Sequence, residues 1–201
     1  MRRYLVTAGN TREMIDRVRD WGNVFTGQTG RRIAEALAAS AEVELLTSNE
    51  AHAREISTGG LAGRVAVETF RSHADLLALL DRRMTAGAGA GYAGVFMTAA
   101  VADYAPRRVF AVVWREPSGG APGEERWVVR DVQAEKVKST YASIAVLGER
   151  TEKLVDLFRG RWGYAGLLVK FKLEVGIDEA ELARVAEDGP VASGADCSVA
   201  S

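Results

Sequence analysis

The sequence predicts a three-layer α/β fold around a mostly parallel sheet. Five short apolar or β-branched runs, residues 2–8, 41–48, 64–70, 93–100 and 166–173, have the length and composition of buried strands. Between them GRRIAEALAASA (30–41), SHADLLALLDRRM (72–84) and TEKLVDLFRGRW (151–162) repeat apolar residues at three and four positions, the spacing that gives one apolar helical face. Strand followed by helix calls for parallel pairing through right-handed crossovers, which places helices on both faces of the sheet. At 201 residues and 47% hydrophobic content the chain can bury a substantial core, and we expect a single domain over 1–201.

Composition narrows the partners. The 26 Lys and Arg nearly cancel the 27 Asp and Glu, so no global field draws in nucleic acid or anionic lipid, and any anion must be bound locally. Cys197 is the one cysteine, which excludes an internal disulfide framework and a cysteine-rich zinc site; it reads as a core residue. The first apolar run is too short for a signal peptide or a membrane span, and the expected location is cytoplasmic. His52 and His73 lack partners at metal-ligand spacing and read as surface or capping residues.

In chain order, the first strand opens into TAGNTREMIDRVRDWGNVFTGQTG (7–30), some two dozen residues where a crossover needs only a handful; ordered loops of that length are usually functional. At its end Gly27 and Gly30 let backbone approach a ligand, and the amides and dipole of the helix start favour an anion. The pattern is neither GxGxxG nor a P-loop, so a plain structural turn stands beside the phosphate reading. GAGAGYAG (87–94) reads as a flexible turn before a strand. After that strand comes VADYAP, where Asp103 stands just beyond the strand end as a turn former or a ligand contact, and Pro106 is expected to stop further extension. Residues 109–133 carry two strand-like runs around a Pro, Ser and Gly cluster, the pattern of a long β-hairpin inserted into the α/β frame. In AEKVKST (134–140), Lys136 and Lys138 form either a solvated charge pair or a grip on a polyphosphate.

Taken in order, LVTAGNTREMIDRVRDWGNVFTGQTG, MTAAVADYAP, EKVKS and VKFKLE resemble the phosphopantothenoylcysteine synthetase family, also called phosphopantothenate–cysteine ligases. The family pattern reads roughly VTAGxTxExxDxVRxxxNxSSGxxG, then AAVADxxP, then EKIKS, and the likeness runs from Leu5 to Ala200. The resemblance implies a Rossmann-like sheet and an enzyme of coenzyme A synthesis. ATP or CTP, with Mg²⁺, would activate the carboxylate of 4′-phosphopantothenate, and the amine of cysteine would then form an amide. By the same resemblance Asn23 and Lys136 would be catalytic, Asn23 stabilising charge as cysteine attacks and Lys136 closing over the phosphates. Arg19, Thr26, Gly27 and Gly30 would hold substrate or phosphate, while Ala99, Ala100, Asp103, Lys138 and Phe171 would border the nucleotide. No protein-borne metal site is implied, and no flavin, because the flavin-dependent decarboxylase domain of the bacterial bifunctional enzymes is missing here. A homodimer is implied, completing the phosphopantothenate site across its two-fold; the 109–133 hairpin, with Trp114 and Trp127, is the expected interface.

The chain also departs from the pattern. Phe25 and Thr26 stand where the family has Ser-Ser, removing one hydroxyl. KFKLEV replaces the bacterial GFAAET-like motif and is closer to the FKLET of the eukaryotic, typically ATP-using branch, leaving nucleotide choice open. Val185, Ala186, Glu187 and Asp188 occupy the region of the bacterial nucleotide-contacting lysines, and the strand-like end closes on Ser201 where the family has Asn, as in a minimal relative. A diverged, non-catalytic or repurposed nucleotide-binding relative is therefore the alternative. A dinucleotide oxidoreductase is disfavoured, since no GxGxxG is followed by an acidic residue about twenty positions on.

Overall fold

The structure, a computed structural model, describes residues 1–85, 91–172, 176, 178 and 193–200. In chain order its elements are β1 (Arg3–Ala8), β2 (Arg12–Met14), β3 (Asp20–Gly22), α1 (Gln28–Leu37), β4 (Glu42–Thr47), α2 (Glu50–Thr58), β5 (Val65–Thr69) and α3 (His73–Met84). There follow β6 (Tyr92–Met97), β7 (Tyr104–Pro117), β8 (Glu125–Asp131), β9 (Ile144–Arg150), β10 (Leu167–Lys172) and β11 (Cys197–Ala200). They divide into two units, one of Met1–Thr11, Asn23–Val101 and Lys153–Ser201, the other of Arg12–Gly22 and Ala102–Glu152.

The first unit is built on a six-stranded sheet in the order β11-β10-β6-β1-β4-β5, every neighbouring pair parallel. All five expected strands are present, and β11 joins them at an edge. Alternation along β1 sorts the core into two layers. Val6 and Ala8 pack with Val43, Leu45 and Val65 against Ala34 of the first helix, Ala38 at its C-cap and Ile56 of the second. On the other face Leu5 and Leu46 pack with Leu76, Leu79, Leu80 and Met84, the one-sided stripe of α3. A capping box starts that helix, with Ser72 and Asp75 each bonding the other's backbone N–H. The hydrogen bonds from Ser72 hold the Asp75 carboxyl below its ordinary range.

Three expectations need correction in this unit. Residues 151–162 form only a 3-10 turn, Leu154–Leu157. Leu154 and Phe158 are buried at helical spacing, but the chain then wraps Phe158, whose ring meets Trp162 edge-on at 4.9 Å and Tyr164 at 5.9 Å. Gly163, at φ 57°, takes the left-handed turn that such a wrap needs. Cys197 is exposed on the edge strand rather than in the core. His52 lies buried on α2, one turn before Ile56, and its Nδ1 has no hydrogen-bond partner among the described residues. The 87–90 part of the small-residue run lies outside the described residues, as do Leu173, Glu174, the 185–188 stretch and Ser201.

Burial, followed by the charge of Arg31, lowers the His52 pKa. A base whose pKa is depressed on folding binds fewer protons folded than unfolded. Stability is then full above its unfolded pKa of about 6.5 and falls as the pH drops below that value. The melting temperature should therefore decline on acidification from about pH 7 to about pH 5, and His52→Leu should flatten that decline. A pH profile identical in the two proteins would remove His52 as its cause.

The second unit is antiparallel. A three-stranded sheet runs in the order β8-β7-β9, and β2 pairs β3 in a short ribbon. The expected hairpin is present but larger: β7 begins at Tyr104, and β9 adds a strand on its other side. Pro106 does not stop extension. It sits in the strand where the register with β9 shifts between Pro106 and Arg108, an irregularity that accommodates a residue lacking an N–H. Gly148 of β9 leaves room for the Trp21 ring, which a Cβ there would meet at 2.8 Å, and the indole N–H donates to the Tyr104 carbonyl at 3.0 Å. The whole of β8 is exposed.

Candidate functional site

In open parallel sheets ligands bind beyond the carboxyl ends of the strands where the strand order reverses. In the first unit that point lies between β1, whose sequence successors lie to one side, and β6, whose successors lie to the other. The chain there is laced together by backbone. Ala100 N–H donates to Gly9 O at 2.8 Å, Thr11 N–H to Ala100 O at 3.1 Å, and Ala99 N–H to the Thr7 hydroxyl at 3.1 Å. Ala99 and Ala100 thus form a wall at the sheet's end, with their own N–H groups committed to Thr7 of β1 and to Gly9 just beyond it.

The first helix reaches this end through two glycines. Gly27 is its N-cap, at φ 81° and ψ 15°, so no side chain closes the first turn, whose amides are left to water or an anion. A Cβ on Gly27 would lie 2.5 Å from Gly9 N and 2.9 Å from its Cα. A Cβ on Gly30 would lie 2.7 Å from both Thr7 O and Ala8 Cβ. The spacing that raised the phosphate question therefore has a firm structural function, seating the helix against β1, and it also brings the uncapped turn to the crevice.

Asn23, Val24, Phe25 and Thr26, just ahead of this turn, are all exposed, Val24 at 97%. The Thr26 carbonyl accepts a hydrogen bond from Asn49 Nδ2 at 3.0 Å. Asn49, which sequence reasoning missed, caps α2 by accepting from Ala51 and His52 N–H, so one side chain ties the start of that helix to the segment before Gly27. An Asn followed by Glu at the head of a polar run was the available signal. Ser48, also missed, accepts from Asn10 N–H at 2.9 Å. Phe171 is half-buried on β10, paired in register with Val199.

The remaining expected residues lie in the second unit. Asp103 is exposed, and its carbonyl accepts from Thr151 N–H at 2.9 Å. Lys136 and Lys138 are exposed on either side of the buried Val137, in irregular chain rather than on a strand. The Arg19 guanidinium is engaged by Asp16 and by the Val137 carbonyl, the latter at 2.6 Å. Sequence reasoning missed Asp16, because its partner at Val137 is remote along the chain.

The first unit's strand order and crevice define an α/β domain of the Rossmann class. A family model described as the DNA/pantothenate metabolism flavoprotein C-terminal domain matches residues 1–115, and the chain belongs to that family. Among solved structures it is similar to the DNA/pantothenate metabolism flavoprotein from Streptococcus pneumoniae, at 25% identity and TM-score 0.74, covering all of this chain and 82% of that one. The C-terminal domain of the coenzyme A biosynthesis bifunctional protein CoaBC shares the fold at 24% identity and TM-score 0.65, with 99% of this chain and 76% of that one covered. So does a Cab2 variant in complex with phosphopantothenate-cysteine, at 14% identity and TM-score 0.63, with 100% and 72% covered. No curated protein matches. Among the described residues no helix is long and apolar enough to cross a membrane.

Proposed function

We propose that this chain is a phosphopantothenate–cysteine ligase-type enzyme of coenzyme A synthesis. The observation that carries the reading is an uncapped helix start at Gly27, beside Asn23 and above the β1/β6 crevice, in a chain of this family. A carboxylate oxygen of 4′-phosphopantothenate attacks the α-phosphorus of ATP or CTP, the bond to pyrophosphate breaks, and an acyl-nucleotide forms. The cysteine amine then attacks the acyl carbon, loses a proton, and the nucleoside monophosphate leaves with the electron pair. Joining anions requires donors that offset their repulsion and hold them in line. We assign the Asn23 amide to the oxygen that gains charge in the second step, and the α1 amides with Thr26, Gly27 and Gly30 to a phosphate. Lys136, Lys138 and Arg19 meet anionic groups, and Ala99, Ala100, Asp103 and Phe171 border the nucleotide.

Among the described residues no group of three or more His, Cys, Asp or Glu could hold a metal ion. Mg²⁺ would arrive on the triphosphate, where it needs few protein carboxylates and would neutralise phosphate charge. No flavin takes part in the proposed reaction. The deciding experiment is calorimetry with ATP and with CTP, alone and with phosphopantothenate, followed by assay of pyrophosphate and amide on adding cysteine. Nucleotide binding with both products supports the ligase. Binding without turnover favours a repurposed nucleotide-binding relative, and absence of binding rejects both.

We also propose a homodimer with a self-complementary interface on the β7–β8 hairpin. Val113, Trp114, Trp127 and Val128 are exposed there, at 61% and 47% for the tryptophans, and tryptophans are favoured interface anchors. Sedimentation should give a dimer at micromolar concentration that Trp114→Ser with Trp127→Ser dissociates; a wild-type monomer overturns it.

A further inference from the structure

The second unit holds a buried carboxylate to which the proposed chemistry gives no role. Asp16 is 7% exposed and both of its carboxylate oxygens are used. Its Oδ1 accepts from Val18 N–H at 2.8 Å and Arg19 N–H at 2.9 Å. Its Oδ2 accepts from Val137 N–H at 3.0 Å, from Arg19 Nε at 3.0 Å and from Arg19 Nη2. The same Nη2 donates to the Val137 carbonyl at 2.6 Å. Both polar groups of Val137 are therefore fixed by one ion pair, and its side chain, 1% exposed, anchors the residue a third way.

The neighbouring chain is fastened to the same turn. Arg17 N–H donates to Glu135 O at 2.9 Å, and the two side chains pair at 2.7 Å. Gln133 accepts from Val109 N–H at 2.9 Å and donates to Ile15 O at 3.4 Å. Residues 15–19 thus act as a template for 133–137, with Lys136 and Lys138 exposed on each side of the clamped residue. The Arg19 guanidinium holds the Asp16 carboxyl well below the ordinary carboxylate range against the opposing effect of burial, so the clamp stays charged.

We propose that Asp16 is the positioning residue for Lys136 and Lys138, fixing with Arg19 the one residue between them so that both ammonium groups meet a polyphosphate already ordered. What the lysines hold rests on the ligase reading; the clamp does not. A charged group that needs no ordering on binding loses less of its interaction energy to entropy.

The test uses the full chain as wild type, Asp16→Asn, Lys136→Gln and the double variant, with two readouts. Tryptic cleavage after Lys136 and Lys138, located by mass spectrometry on the folded protein, reports the clamp. It should accelerate about tenfold in Asp16→Asn while cleavage outside the two clamped segments, 15–19 and 133–138, is unchanged. Nucleotide KM reports the consequence: Asp16→Asn should raise it about tenfold, leave kcat at saturating nucleotide within about twofold, and add less than about twofold in the Lys136→Gln background. Unchanged cleavage, or effects of Asp16→Asn and Lys136→Gln that multiply, overturns the proposal. If Asp16→Asn does not fold, Arg19→Gln keeps the three backbone N–H bonds to the Asp16 carboxylate and removes the guanidinium from both Asp16 and the Val137 carbonyl. Wild-type cleavage in that variant overturns the proposal equally. If no protein, wild type included, binds ATP or CTP, the ligase reading fails while the cleavage readout still decides the clamp.

Discussion

Asn23→Asp is expected to lower overall ligation by roughly two to three orders of magnitude, the usual cost of one preorganised donor. Asn23 is exposed on the segment leading to the Gly27 cap, where its amide is available to a ligand. The aspartate has nearly the same shape but replaces the amide donor with a carboxylate, so it faces developing negative charge with more negative charge. Only the cysteine step develops that charge at the acyl oxygen in our scheme. Pyrophosphate release in a single turnover should therefore survive, and acyl-nucleotide should accumulate. Rapid quench with labelled nucleotide measures both; an Asn23→Asp protein with ordinary ligation rates would remove the residue from the mechanism.

Gly27→Ala should cost more in stability than any surface substitution, and should weaken phosphate-ester binding with it. Two penalties coincide. An L side chain at φ 81° is strained by about 1–2 kcal/mol. Its Cβ would also press on Gly9 N, Gly9 Cα and the Ala8 carbonyl carbon, at 2.5, 2.9 and 3.2 Å. All three are backbone atoms and cannot rotate aside, so α1 must lift from β1, an overpacking cost of about 1–3 kcal/mol more. For a chain of this size each kilocalorie per mole lowers the melting temperature by about 2–4 °C. Thermal denaturation of the substituted and unsubstituted proteins decides it; an unchanged melting temperature would mean that the helix start is not seated on the strand.

How much of this was legible in the sequence depended on whether the signal was local. Runs such as EVELLT and YAGVFM declared themselves because a strand buried on both faces is apolar throughout. The hairpin showed through its Pro and Gly tip. The second helix did not, because EAHAREIST offers the core only His52 and Ile56, too few to set a period. Residues 151–162 misled in the opposite sense, since Leu154, Phe158 and Trp162 imitate a helical stripe that the left-handed Gly163 is needed to fold back. The site divided similarly. Gly27 and Gly30 stood out as a spacing and Asp103 as a position beyond a strand, while the roles expected of Asn23, Ala99 and Ala100 came only from the family resemblance. That Arg19 holds a carbonyl and a carboxylate could not be read, because the carbonyl belongs to Val137 and nothing local encodes it.

The interleaving of the two units has a consequence for how the chain is made. β1, β4 and β5 emerge in the order in which they lie side by side, so that half of the parallel sheet can assemble as it leaves the ribosome. The 12–22 segment has no such opportunity. Arg19 and Val137 are 118 residues apart, a delay of roughly 6–24 s at about 5–20 residues per second. Throughout that interval Asp16 and Arg19 have each other but not the backbone they will grip, and the β2–β3 ribbon is an excursion awaiting strands not yet translated. Closing such a loop is a non-local step whose entropy is lost before its bonds form. The antiparallel unit is accordingly the late-folding one, and slower translation ahead of codon 150 should prolong the protease-sensitive life of the nascent chain at residues 12–22.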